Sequence, residues 1–221
     1  MGCVAKARTV RVAAGEFVVG PNDWESEHVA FRRGRTETFW LDANEVTIER
    51  YLRCIAAGKC SMHLDERGAY EPGQPVTSIV VEEARAFCAY AHGRLPSTNE
   101  WLRVSTGAKS YRFPWGQTGL VCRRASYGLA TGPCAEGGTE PELSGTRITG
   151  KSAEGLFDLV GNVAEIVVGD GGTIEIRGGS FRSDHAAVLK SWSVAPYQGA
   201  RDDVGFRCAY DTEPVAFDEG T

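Results

Sequence analysis

The sequence predicts an α+β domain with little regular secondary structure, and two observations carry the prediction. Helix-like patterns are confined to the stretch before Gly107; beyond it come glycine-rich loops broken by short strand-like runs. Glycine also supplies 27 of the 221 residues, well above the usual ~7%, as expected of a chain full of tight turns. No internal repeat is visible. A single domain is expected over residues 9–211, with a short tail at 1–8 and an acidic one at 212–221.

The elements follow in order. Residues 9–19, TVRVAAGEFVV, alternate apolar and polar around a glycine and read as strand, turn, strand. TETFWLDANEVT, 36–47, reads as a strand leading into a helix, with Thr47 as cap, Gly58 as stop and an apolar face of Ile48, Leu52, Ile55 and Ala56. A second helix is expected over 81–91, because Ala84, Phe87, Cys88 and Ala91 fall on one face; Gly93 would end it. The third opens at STNEW. Ser97 and Glu100 have capping-box spacing, so each side chain can satisfy the other's free backbone N–H, and Gly107 closes the helix. Residues 108–155 read as long loops. Short strands are expected in EIVVG, TIEIRGGSF and DVGFRCAY.

Composition narrows the function. The formal net charge of −5 argues against a nucleic-acid surface, which needs clustered Lys and Arg. The hydrophobic fraction of 42% is ordinary for a globular chain, and no apolar run approaches the ~20 residues that span a bilayer. A monomer is expected.

Seven cysteines are present and none forms CxxC, which disfavours a structural zinc site. Cys54–Cys60 in CIAAGKC and Cys122–Cys134 in CRRASYGLATGPC have the spacing of loop staples, and Cys88 with Cys208 can close a third bridge over a long loop. Three bridges imply an oxidising, extracytoplasmic compartment; the alternative is a cytoplasmic protein with scattered buried thiols. Cys3 is left over. No hydrophobic signal region precedes it. It reads either as the lipid-bearing, membrane-anchoring cysteine of a bacterial lipoprotein or as a stray exposed thiol.

Five segments stand in one order: VAAGEFVVG; EVTIERYLRC; the run from PVTSIVVEEARAFC to GRLPSTNEWLRVSTGA; PWG followed by GLFDLVGNVAE; and RGGSF followed by VGFRC. Together they resemble the formylglycine-generating enzyme (sulfatase-modifying factor) family from about Arg11 to Tyr210. The resemblance implies an elaborated C-type lectin fold. In the active members a redox-active cysteine pair follows GGS, binds copper and activates oxygen against a substrate cysteine. The matching positions here are Ser183 and Val188, so no copper and no formylglycine-generating oxidase activity are expected. The resemblance also supports the Cys88–Cys208 pairing. A related branch, the iron-dependent sulfoxide synthases, uses a three-His site. The four histidines here, His28, His63, His92 and His185, are scattered, and a site built on His185 and Asp184 would need a distant third ligand.

Calcium is the cofactor the resemblance implies. Its site would use Asp158, the backbone carbonyls of Gly161 and Val163, and Glu165, a hard-oxygen set that suits Ca²⁺. The stapled loop near Ser126 and Tyr127 departs from the family's pattern for a second calcium site, so the resemblance does not carry that site over. The family's usual Trp between Val163 and Glu165 is replaced by Ala164, which is expected to loosen packing there.

In such a fold the residues after Gly179 line a groove. The candidate ligand-binding residues are Arg182, Ser183, Asp184 and His185, then Trp192, Tyr197, Gln198 and Arg201. Trp, Tyr and Arg dominate binding hot spots, and the expected ligand is a peptide, glycan or protein. The competing reading places Trp192 in the core and leaves the charges solvated. Arg207 is expected in a structural ion pair. Three functions are compatible with these residues: a non-catalytic binding domain, retroelement-diversified or not; a metal-dependent oxidoreductase or protein-maturation factor with a rebuilt non-cysteine site; and an interaction module of a kinase or caspase-like signalling system.

Overall fold

The computed structural model describes residues 8–20, 30–61 and 71–214. Cys3, His28, His63 and the ends of both expected tails lie outside them. Nine strands and three α-helices are present among the described residues: β1 (Thr9–Val12), β2 (Gly15–Val19), β3 (Arg32–Thr36), β4 (Phe39–Asp42), α1 (Ile48–Ala56), α2 (Val81–Tyr90), α3 (Thr98–Ser105), β5 (Ala164–Val168), β6 (Ile174–Arg177), β7 (Val194–Pro196), β8 (Val204–Gly205) and β9 (Ala209–Tyr210). They form three small sheets, ordered β1-β4-β9, β2-β3 and β7-β6-β5-β8. The architecture is the expected α+β with low regular content.

The helices start where capping chemistry dictates. The Thr47 side chain accepts the Arg50 N–H at the head of α1, and Ser97 and Glu100 form the reciprocal box at the head of α3. The apolar face of α1 differs from the expected one. Ile48, Tyr51 and Cys54 are buried, whereas Leu52 is 45% exposed and Ala56 is exposed. The buried face is the one that packs on α2, where Tyr51 stacks on Phe87 and Cys54 joins the same cluster. On α2 the expected residues Ala84, Phe87, Cys88 and Ala91 are all buried. That helix stops at Tyr90, and His92 rather than Gly93 takes the left-handed conformation, at φ +59°. Gly93 is needed for another reason: a Cβ there would lie 2.6 Å from the Ala209 carbonyl oxygen.

Two strands arise where no strand was expected. RRGRT forms β3 by pairing with β2, its Gly34 lying flat under the Phe17 ring, and VAP forms β7 on the edge of the third sheet. Between α3 and β5 the described chain has neither strand nor α-helix, as expected.

The main core joins α1 and α2 to the β5–β6 sheet. Phe87 stacks on Tyr51 at 5.8 Å and meets Phe206 edge-on at 5.6 Å. Disulfides join Cys54–Cys60, Cys88–Cys208 and Cys122–Cys134. Three such bridges are the mark of a protein that matures in an oxidising compartment.

Candidate functional site: a hollow on the edge of the third sheet

The RGGS segment folds as it does because two consecutive residues need positive φ. Gly178 is at +89° and Gly179 at +67°, and a Cβ would lie 2.8 Å from the Leu159 carbonyl oxygen or 2.6 Å from the Leu189 side chain. The turn is then locked by side chains. The Ser180 hydroxyl donates to Asp203 at 2.7 Å, the Ser180 N–H donates to Ser183 Oγ at 2.9 Å, and Arg201 clamps Asp203 through two bonds of 2.9 and 2.8 Å.

Above this turn lies a hollow of about 360 Å³. Ala164 and Ile176 line it from the sheet, Ala187 and Val188 from a 3₁₀ turn over Ala186–Leu189, and Val194 and Ala195 from β7. Its polar lining comes from Ser180, Ser183, Ser193, Arg177 and Arg201; among the described residues no carboxylate lines it. Ser183 and Val188 therefore line the same hollow. Ala164, where the family resemblance leads one to expect Trp, is 4% exposed, so the volume an indole would occupy is left to the hollow.

Of the eight sequence-predicted ligand residues, the structure brings Ser183 and Arg201 into this lining and places the others around or behind it. Arg182 lies over the Phe181 ring and pairs with Asp202 at 2.6 Å. Asp184 and His185 are exposed and 3.3 Å apart. Gln198 is exposed. Trp192 is half-buried against Phe17, Val19 and Leu102. Tyr197 serves the scaffold. Its hydroxyl accepts the Val81 N–H at 3.2 Å, at the head of α2, where no N-cap side chain does so. Burial raises the pKa of this phenol. The β7 residues of the lining escape a sequence reading because VAP carries no strand signal of its own; only its pairing with β6 makes it a wall.

A second polar centre lies beneath the 158–165 loop. Arg207 is fully buried and holds Glu165 at 2.6 and 2.8 Å, while donating to the carbonyl oxygens of Asp42, Ala43 and Phe157. This is the expected structural ion pair. Trp101 Nε1 also donates to Glu165, at 3.3 Å. Asp158, at φ +53°, accepts the Gly145 N–H at 2.6 Å. Glu45 accepts from Asn162 Nδ2 at 3.1 Å and from the Val163 N–H at 3.4 Å. Three carboxylates thus surround one guanidinium. Burial, reinforced by the Asp158 charge, holds Glu45 well above the usual carboxylate range. Burial also lifts Asp158 to about 6, against the pull of the Gly145 N–H and Arg207. Glu45 has no place in the sequence-predicted metal set, although EVT stands in one of the recognised motifs.

The chain has relatives in family and in fold. The model of the sulfatase-modifying factor enzyme 1-like domain matches residues 3–212. A curated relative from Bos taurus, "Inactive C-alpha-formylglycine-generating enzyme 2", is 29% identical over 149 residues, 61% of this chain and 50% of its own. The chain therefore spans about half the length of that relative. Among solved structures, PvdO from Pseudomonas aeruginosa aligns at a TM-score of 0.74 and 19% identity, covering 92% of this chain and 94% of its own. Treponema denticola variable protein 1 aligns at 0.70 and 18%, covering 92% and 95%.

Proposed function

This chain belongs to the sulfatase-modifying factor enzyme 1-like domain family, and from that premise we propose that it is a non-catalytic member that binds a peptide, glycan or protein ligand in the hollow beside Ser183 and Val188. One observation carries the reading. Ser183 and Val188, the positions that the family resemblance matches to the active members' cysteine pair, both line the hollow and present it with a hydroxyl and an isopropyl group. The six cysteines among the described residues are all in disulfides, so none of them can serve as a thiolate ligand or nucleophile. The similarity to relatives named as inactive formylglycine-generating enzymes points the same way. The location consistent with the three bridges is extracytoplasmic; attachment through a lipid on Cys3 is compatible with it.

Calcium is the ion this reading assigns to the 158–165 loop. Among the described residues no three His, Cys, Asp or Glu side chains converge as a ready-made metal cage. A calcium ion here would rest on Asp158 and the carbonyl oxygens of Gly161 and Val163, with Glu165 shared with Arg207. The excess of carboxylates over guanidinium at this buried centre supports a divalent cation. Bound calcium would supply the missing positive charge and keep Asp158 and Glu45 ionised.

The test has two readouts. A cysteine-containing peptide incubated with the protein, copper and oxygen is expected to yield no formylglycine aldehyde beyond that of a protein-free control, read by aldehyde-specific labelling; aldehyde formed only with the protein overturns the non-catalytic reading. Binders from peptide and glycan arrays are expected to be lost on Val188→Trp, which fills the hollow, and binders that ignore this substitution overturn the site. The calcium assignment is checked by melting the protein in chelator between pH 5 and 7. Asp158 has a folded pKa near 6 against an ordinary value of 3.8, so folding takes up a proton between those values and stability falls as pH rises through them. Added calcium is expected to abolish that fall, and a melting temperature indifferent to calcium at pH 7 sinks the assignment.

A further inference from the structure

We propose that the ligand taken by this hollow is an extended, acidic peptide that adds as a strand to the free edge of β7. The inference rests on the binding reading above and deepens it.

β7 is the last strand of the β7-β6-β5-β8 sheet, and among the described strands nothing pairs with its outer side. All three of its residues are exposed. The register sets Arg177 opposite Val194, Ile176 opposite Ala195 and Glu175 opposite Pro196, and the Tyr197 N–H donates to the Ile174 carbonyl oxygen. In an antiparallel ladder, successive residues turn their backbone groups alternately toward and away from the partner. Tyr197 faces β6, so Ala195 does too, and Val194 and Pro196 face outward. The outer edge therefore offers the N–H and C=O of Val194 and the C=O of Pro196. Pro196 sits where a missing N–H costs the sheet nothing.

Two further features select an extended acidic peptide as the occupant. The hollow begins at Val194 and Ala195 and runs over the face of the same sheet to Ala164. A strand laid along β7 projects every second side chain over that face, and the hollow offers small apolar walls to receive one; its rim includes Val188 and Val194, 47% and 54% exposed. Among the described residues the lining contains no carboxylate, and of its two arginines Arg177 is buried and paired with Glu175 at 2.9 Å, which leaves Arg201 as the exposed cation. Arg201 keeps a side chain 42% exposed while bound to Asp203, and it faces the ligand space with positive charge. Main-chain bonds to the edge supply affinity, and the hollow with Arg201 supplies selectivity for an apolar side chain and an acidic one two positions along, on the same face.

The probe is the acetylated, amidated pentapeptide Ser-Val-Ser-Glu-Ser, which sets its valine and glutamate on one face of the strand, titrated to millimolar concentration into isotope-labelled protein. Amide shifts are expected at Val194, Ala195 and Tyr197, and Arg201→Gln is expected to weaken binding roughly tenfold. Two backbone-methylated versions of the peptide, blocked at alternate amides, decide the mode. One pattern is expected to abolish binding and the other to leave it intact, since only one set of amides faces β7. Shifts around the hollow that survive both patterns overturn strand addition and leave the binding reading standing. The absence of shifts at Val194 and Ala195 overturns strand addition as well. In that case the array binders lost on Val188→Trp decide the binding reading by themselves.

Discussion

Arg207 is the residue on which most of the molecule's polar interior turns. Its five donors reach Glu165 and three backbone carbonyls drawn from the β4 end and the loop before β5. Removing one partner of a buried ion pair leaves the other charge uncompensated, which costs far more than the pair contributes against an apolar replacement. Arg207→Met is therefore expected to destabilise the fold by about 3–5 kcal/mol, read from urea unfolding. The double variant Arg207→Met/Glu165→Gln should recover part of that loss. No recovery would mean that the carbonyl contacts, rather than the charge pair, carry the effect. The role of Arg207 is visible in the GFRC motif, but its partner is not. Glu165 reads as a calcium ligand alone because a sequence shows oxygen atoms without their neighbours.

At the scale of elements, the helix starts are legible because capping is local: Thr47, Ser97 and Glu100 act within one turn of their own positions. Long-range pairing is not. β3 and β7 carry weak strand signals, and each exists because a neighbour supplies its hydrogen bonds. The start of α2 shows the same limit. No side chain at its N-cap bonds the first turn, and the Tyr197 hydroxyl, 116 residues further on, takes the Val81 N–H. Tyr197→Phe is expected to cost on the order of 1 kcal/mol, measured by denaturant unfolding, with hydrogen exchange accelerated at the first turn of α2. A Phe variant with unchanged stability and exchange would return Tyr197 to the candidate ligand residues. Within the hollow, Ser183, Val188 and Ala164 are legible through the motif resemblance. Val194 and Ala195 depend on a strand that only the assembled sheet creates.

For the whole molecule, the decisive covalent link is Cys88–Cys208, which spans 120 residues and ties α2 to the chain before β9. In the chain-entropy model a loop of this length stabilises by about 4–5 kcal/mol, against about 2 kcal/mol for the short Cys54–Cys60 loop. Replacing both Cys88 and Cys208 by Ala should therefore lower the midpoint of unfolding far more than the same change at Cys54 and Cys60. Equal losses would show that native packing, and not the unfolded chain, sets the contribution of each bridge.

The place of β9 in the first sheet bears on how the protein is made. β4 lies between β1, near the start of the chain, and β9, among its last described residues. A nascent chain emerging from the ribosome cannot complete that sheet, seat Arg207 or join Cys88 to Cys208 until residues 207–210 have been synthesised. Until then, Leu41 and Phe206 have no finished core to enter. Such a chain stays open until β9 emerges, and the largest covalent loop in the molecule is among the last features it can close.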